Sequence, residues 1–511
     1  MLREAVQTKL SLYRGLYEII VPKDHLLRKI KDNIDFSFVN PLLKESYCEH
    51  YGRPAKEPEM MFKLLFLKKM YDLSDEVLIQ NAAVNMAYKY FLDLDPEDGM
   101  IDSSLLTKFR KTRITEDILE EMLKETISQA IQKGLIKSTA IIVDATHTHA
   151  AVRPSTPTQV LRNLSKQLRK EIYKSMYELS VKFPEKPSET AHLKEEIEYT
   201  NQLLENIGED IANSGQPKLQ FLYAHIKELL EDDRIREIGS THDEDARFGR
   251  KGASTSFFGY KNHIAMTEER LISGIEVTSG EACDGKMLKT LVEKSKKNGI
   301  EVQEVLGDMA YSSMDNIGYC DKERITLIAK TNPLVASAAE PKNDGFEYNK
   351  DAGLMQCPAG ELASRIQKRQ GKYDNRYFIY FFNPKKCQNC AYADKCGVGR
   401  SKTKSYCVTV KSQKNLDRLD FEKSAYFNER LKIRNRIEQK NGELKQAHGL
   451  RTADATGLAA MRLQAYFTAF AVNIKRIIKL IGQGKPPRPI RWAVFPDRHR
   501  TFIINPFLVL Y

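Results

Sequence analysis

The chain has no apolar run long enough to cross a bilayer. About 20 consecutive residues are needed, and the longest candidate, LAAMRLQAYFTAFAVNIKRIIKLI, is interrupted by Arg462, Gln464 and Lys475. Its first residues, MLREAVQTKL, contain no hydrophobic segment of the secretory kind. The expectation is a cytoplasmic protein with no membrane partner. Its eight cysteines then stay reduced, and disulfides are not expected. Acidic residues are in deficit, 68 Asp plus Glu against 80 Lys plus Arg, for a formal charge of +12. An excess of that sign suits a polyanionic partner.

A length of 511 residues exceeds one ordinary core, so several domains or large insertions are expected. Residues 1–130 read as helical, with apolar residues at helical spacing and Ser74 placed to cap a helix. DSSLLTKFRKTRIT adds a short basic helix, which suits either DNA contact or docking. From 137 the character changes. KSTAIIVDATHTHA is an apolar, β-branched strand ending at Asp144, and 158–236 read as a charged helical hairpin. FGYKNHIAMTEERLISGIEVTSG gives two strands, DGKMLKTLVEKSKKNG a helix, EVQEVLGDMAY a strand ending at Asp308, and RITLIAKTNP another strand. Residues 340–420 read as irregular and Cys-rich. With the insertions removed, the order is that of an α/β layer with a mixed sheet. From Lys475 to Arg500 basic residues dominate, with Trp492 and Pro486, Pro487 and Pro489 among them. Residues 485–511 are expected to form a basic C-terminal tail.

Asp144 and Asp308 each close an apolar strand, where α/β sheets commonly carry their chemistry. In RNRIEQKNGELKQAHGLR, read as a helix, Arg434, Glu438 and Lys445 share one stripe within about 40°. Asn441 lies on that stripe, and Ile433, Ile437 and Leu444 form an apolar strip beside it. Glu443 points about 180° away and is rejected as the third acid. Three carboxylates converging without a cation would repel one another, whereas a pair of Mg²⁺ ions needs such oxygen ligands for chemistry at phosphorus. Asp243, Asp245 and Asp315 read as turn or capping residues. His147 and His149 invite comparison with barrel-type metal hydrolases. No later His-rich motif completes such a site, however, and strand alternation turns both rings away from the Asp144 face.

At these residues the chain resembles the DDE-type insertion-sequence transposases. IIVDATHTHA, VLGDMAYSS and RNRIEQKNGELK are similar to their three acidic motifs. Arg434, Glu438 and Lys445 match the Arg-x3-Glu-x6-Lys spacing of one bacterial branch, with Leu431 where that branch has tyrosine. YGRPAKEPEMMFKLLFLKKMYDLSDEVLIQ, SSLLTKFR, STHDEDARFGRK and GYKNHIA also resemble that family, so the likeness covers most of residues 30–480. The resemblance implies an RNase H-like catalytic domain over 136–484, interrupted by a helical insertion (158–236) and a Cys-rich insertion (340–420) and preceded by the helical domain 1–130. It implies catalysis and binding of two Mg²⁺ (or Mn²⁺) ions by Asp144, Asp308 and Glu438, and DNA contacts by Arg434 and Lys445. The implied partners are double-stranded DNA, as transposon ends and as target, and further copies of the chain in a dimer or larger synaptic complex. No small-molecule cofactor is expected, and the location is the bacterial nucleoid. A catalytically silent DNA-binding descendant and a host structure-specific nuclease are the alternatives.

Cys357, Cys387, Cys390 and Cys396 supply four thiols, two of them as C-x2-C, which suits a structural Zn²⁺. The remaining spacing is not that of a standard ribbon. An iron–sulfur cluster, free thiols, or Cys407 in place of one ligand are the other readings. Cys48, Cys283 and Cys320 read as packing residues.

Overall fold

The computed structural model describes residues 11–48, 54–231, 235, 238–250, 255–331, 345–349, 352–370, 376–388, 390, 392–393, 396, 404–410 and 413–483. The tail expected over 485–511 lies outside the described residues. Lys475, Arg476 and Lys479 do not begin an extended arm. They belong to the helix Leu458–Gln483, where Arg476 Nε donates to Glu269 O at 2.7 Å. Among the described residues no helix is long and apolar enough to cross a membrane.

The centre is a curled mixed sheet of β1 (Ala140–His149), β2 (Arg247–Arg250), β3 (Ser256–Thr267), β4 (Ile272–Ser279), β5 (Glu304–Leu306) and β6 (Thr326–Ile328). β1 runs antiparallel to β3 and parallel to β5, which is parallel to β6. The opposite edge of β3 is shared by β2, against 256–259, and β4, against 260–266. With helices on its faces, this is an RNase H-like α/β fold. β2 is short and polar, and gave no alternating signal to the sequence reading.

Helices between residues 16 and 132 pack with Leu458–Gln483 and with Ile141, Val143 and Val305 of the sheet in one continuous core. Phe62 lies 5.2 and 5.5 Å from the rings of Phe467 and Phe470. Ser74 caps its helix as expected, accepting from Val77 N at 3.2 Å. The 158–236 insertion is not a hairpin. It is three helices (Pro157–Ser175, Leu193–Ala212 and Pro217–Glu231) around a core of its own that includes Leu164, Leu203 and Ile226.

The 340–420 segment is also more regular than expected. It holds a hairpin (Glu347–Asn349 with Leu354–Gln356) and a three-stranded antiparallel sheet built from Arg365–Gln370, Arg376–Phe381 and Ser405–Val410. These strands are short; Arg365–Gln370 (RIQKRQ) is almost wholly polar and Arg376–Phe381 (RYFIYF) almost wholly apolar, so neither alternates visibly. Met355, Tyr380 and Val408 form their core.

One buried ionic cluster fixes the approach to the sheet from the C-terminal side. Arg430, on the helix Ala425–Ile433, is 1% exposed. Its Nε donates to Glu304 Oε2 at 2.7 Å, and its Nη2 donates to Glu268 Oε1 at 2.7 Å. Tyr426 Oη donates to the other oxygen of Glu304 at 2.8 Å. Burial raises the Glu304 carboxyl above its ordinary range, and the hydrogen bond and charge of Arg430 oppose that shift. Removing one partner strands the others. Arg430→Ala is therefore expected to lower stability by about 3–5 kcal/mol, read by chemical denaturation. Loss of under about 1 kcal/mol, the range of an exposed pair, would contradict the buried-clamp assignment.

Candidate active site

Register brings two of the acids together. Ile142 of β1 pairs with Leu306 of β5 at the end of their parallel ladder. Asp144 and Asp308 each lie two residues beyond that pair, Asp144 still within β1 and Asp308 just past the end of β5. Asp144 does not end its strand, as the sequence reading expected. β1 continues against β3 to His149, and it is the three-residue β5 that stops. One edge of β1 is thereby open from Asp144 until His149, which bridges Thr452. Asp308 leaves β5 and caps the short 3₁₀ turn Met309–Tyr311, its Oδ1 accepting from Ala310 N at 2.9 Å.

The helix Asn435–Ala447 crosses this opening. Ile437 joins Ala140, Ile142, Leu306 and Ile328 in an apolar cluster, and Leu444 enters the main core. The polar stripe then faces β1: Asn441 Nδ2 donates to Asp144 Oδ2 at 2.9 Å, and Lys445 Nζ lies 3.3 Å from His147 Nδ1. His147 is thus beside the site and not turned away from it. Where β1 lacks a β5 neighbour, a helix lying over the strand edge can reach residues of both alternating sets.

Glu438 occupies the same stripe one turn before Asn441. Its carboxylate accepts from Arg434 Nη2 at 2.7 Å, and its side chain is 54% exposed. Glu443 pairs with Lys440 at 2.8 Å. Among the described residues no group of three or more His, Cys, Asp or Glu side chains stands in an arrangement that could hold a metal ion. The structure therefore sets Asp144 and Asp308 at matching positions beyond the β1–β5 ladder and Glu438 on the crossing helix, its carboxylate taken by Arg434.

The surroundings nonetheless suit an oxygen-binding cation. The nearby donors are carboxylates, and two buried polar atoms beside them, Tyr311 Oη and Asn441 Oδ1, have no hydrogen-bond partner. Three contributors escaped the sequence reading. They are the Asn441 amide on Asp144, the ring of His147, and Tyr311, which is fully buried beside the acids. A fourth acid, Asp284, is also buried there and accepts from Lys261 Nζ at 2.8 Å. Only the stripe position of Asn441 was visible in the sequence.

The far end of the crossing helix is held by backbone and imidazole contacts. The helix stops at Ala447, four residues short of the stretch read as helical, because Gly449 takes φ +68 with Asp72 where a Cβ would stand. Thr148 Oγ1 donates to Leu450 O at 2.7 Å. His448 is buried, with Nδ1 2.7 Å from Lys69 O and Nε2 3.2 Å from Lys475 Nζ. Asp243 and Asp245 cap as expected, but across the fold: they accept from Gly457 N at 3.2 Å and Leu458 N at 2.8 Å. Asp315 lies in the first turn of Met314–Lys322, which Ser313 caps.

Cys357, Cys387, Cys390 and Cys396 line one pocket of about 40 Å³. Burial raises the Cys396 thiol; Lys404 opposes this, and the other three cysteines raise it further. Cys320 is buried, whereas Cys48 and Cys283 are exposed and are not packing residues.

Two protein families match the chain: a transposase domain over residues 16–112 and a transposase DDE domain over residues 356–478. The second match includes Glu438 and the four cysteines, and begins after Asp144 and Asp308. The class the matches point to is that of the transposases. More particularly, the chain carries one stretch similar to a transposase domain and one similar to a transposase DDE domain. It is also similar to an uncharacterised protein, ORF8 in the nfe locus of Rhizobium meliloti, at 36% identity over 85 residues. That stretch is 16% of this chain and 41% of the relative.

Two outcomes test the seating of the helix. Gly442 has open space where a Cβ would stand. Gly442→Ala is expected to raise stability by about 1 kcal/mol, measured by denaturant titration; a loss would mean the helix is packed there. Burial holds the His448 imidazole below its ordinary range, with Lys475 and Lys440 acting in the same direction and the Lys69 carbonyl and Glu443 against it. Its contribution is full above the unfolded value of about 6.5 and is lost as pH falls from there toward the depressed folded value. Melting temperature should drop between pH 7 and pH 5 more steeply in wild type than in His448→Gln. Parallel curves would refute the assignment.

Proposed function

We propose that the protein is the DNA transposase of an insertion sequence. It binds the terminal inverted repeats, hydrolyses a phosphodiester at each 3′ end, and joins the freed 3′-OH to target DNA. Asp144, Asp308 and Glu438 are the residues that would hold two Mg²⁺ (or Mn²⁺) ions, which when bound activate the attacking oxygen and stabilise the leaving one.

The remaining roles belong to side chains of this chain. Asn441 holds one oxygen of Asp144 and so orients that carboxylate. Arg434 carries Glu438 as an ion pair and exchanges it for a backbone phosphate when Glu438 turns inward. Lys445, beside His147, supplies a second positive charge along the same groove. Synapsis of two ends calls for a homodimer or larger assembly. The four cysteines would hold a structural Zn²⁺ that fastens the small sheets of the insertion. Residues 16–132 share a core with the catalytic sheet, so end recognition through the basic helix Ser104–Arg113 would be rigidly coupled to the site.

The observation that carries this reading is the register of Asp144 and Asp308, with the Glu438 helix laid across them. The pairing of Glu438 with Arg434 favours a second reading, a silent descendant that binds ends without cutting.

Strand nicking of DNA bearing the element's ends separates the two. Wild type is expected to nick with Mg²⁺ and not with EDTA, and Asp308→Asn to fall to the EDTA level while still binding ends. Nicking by Asp308→Asn would reject the site, and end binding without nicking in any divalent cation would favour the silent descendant. Cutting independent of end sequence would point to a host nuclease.

A further inference from the structure

Tyr311 stands out among the buried groups that this mechanism leaves unused. It is fully buried, and its hydroxyl has no hydrogen-bond partner among the described residues. A buried donor without an acceptor costs stability, and phenylalanine would fill the same volume without that cost.

The surroundings of the ring say what the hydroxyl serves. A Cβ on Gly307 would stand 3.0 Å from Tyr311 Cδ2 and 3.2 Å from Val143 Cγ2. The ring thus sits against the residue before Asp308 and beside the residue before Asp144. The charges bearing on the hydroxyl are, in order, those of Asp284, Asp144 and Asp308. Burial, with those three carboxylates, holds the phenol far above its ordinary range, so it remains a donor. Asp284 already accepts from Lys261. The backbone is fixed as well: Asn316 Nδ2 donates to Tyr311 O at 2.9 Å and to Gly285 O at 2.8 Å, tying the Tyr311 turn to the Asp284 turn.

We propose that Tyr311 is a positioning residue of the cation site. Its hydroxyl donates to the oxygen that Asp144 or Asp308 turns away from the cation, and so holds the loaded site in one arrangement. This rests on the assignment of Asp144 and Asp308 as cation ligands. Loading supplies the acceptor, and the hydroxyl in return selects which carboxylate oxygen faces the ion. Partners of metal ligands acting in this way change metal affinity by about 10–100-fold.

The test is Mn²⁺ binding by the full chain without DNA, followed by titration calorimetry and by thermal melting with and without the ion. Mn²⁺ prefers oxygen ligands and leaves the thiols aside. Tyr311→Phe is expected to melt at or above the wild-type temperature without Mn²⁺. It should bind Mn²⁺ about tenfold more weakly and gain less from it on melting, while Asp308→Asn loses binding. If Asp308→Asn loses binding and Tyr311→Phe matches wild type, the role of Tyr311 is overturned and the ligand assignment survives. If Tyr311→Phe melts lower without Mn²⁺, the hydroxyl has a stabilising partner that does not depend on the ion, and the role is overturned as merely structural. A folded wild type that binds no Mn²⁺, or an Asp308→Asn that binds it unchanged, overturns the ligand assignment and this role with it.

Discussion

Everything at the site depends on how one amphipathic helix is seated across the open edge of β1. The apolar side of Asn435–Ala447 is held by Ile437 and Leu444, whose burial contributes about 1.5–3 kcal/mol each and fixes the rotation of the helix. Rotation then decides which polar residues meet the strand. A turn of one residue, about 100°, would remove both the Asn441–Asp144 and the Lys445–His147 contacts. Hydrophobic burial thus sets the address, and the polar stripe inherits it.

Position along the strand is decided elsewhere. Before the helix, Arg430 is locked to Glu304 and Glu268, so the chain enters over the start of β5. After it, His448, Lys69 and the Thr148–Leu450 hydrogen bond hold the exit against the helix Pro58–Met70 and the end of β1. Lys69 also pairs with Asp454 at 2.5 Å. Buried charges of this kind add little net stability when complete and cost much when broken. Their effect here is to exclude alternative placements of the helix. The N-terminal helices are part of this brace, so the matched transposase domain at 16–112 and the matched DDE domain at 356–478 meet in one core.

The centre gathers carboxylates. Asp144, Asp308 and Asp284 bear on one buried phenol, and Lys261 pairs with Asp284. Two buried polar atoms next to them lack partners. A cluster of like charges with orphaned donors and acceptors is costly in isolation. Bound cations would relieve it.

The residues proposed to carry the chemistry were legible in the sequence because each follows a local rule. Asp144 and Asp308 are set in apolar β-branched runs, and Glu438, Asn441 and Lys445 fall on one stripe by helical periodicity alone. Ser74 was legible as a cap for the same reason, as were the helices and the longer strands. The strands of 340–420 and β2 were not: all are short, β2 and Arg365–Gln370 are charged, and Arg376–Phe381 is an aromatic run without alternation. Nor were the contacts that assemble the site, since each joins residues far apart in the chain, as Asn441 to Asp144 does. By itself, then, the sequence determined which residues carry charge and which face of each element they occupy, because local periodicity and backbone preference suffice for that. Only the tertiary structure decided that β5 ends early, that His147 lies within reach of Lys445, that Glu438 rests on Arg434 and that Tyr311 lies among the acids. Those are outcomes of strand register and packing between distant segments, which no local pattern encodes.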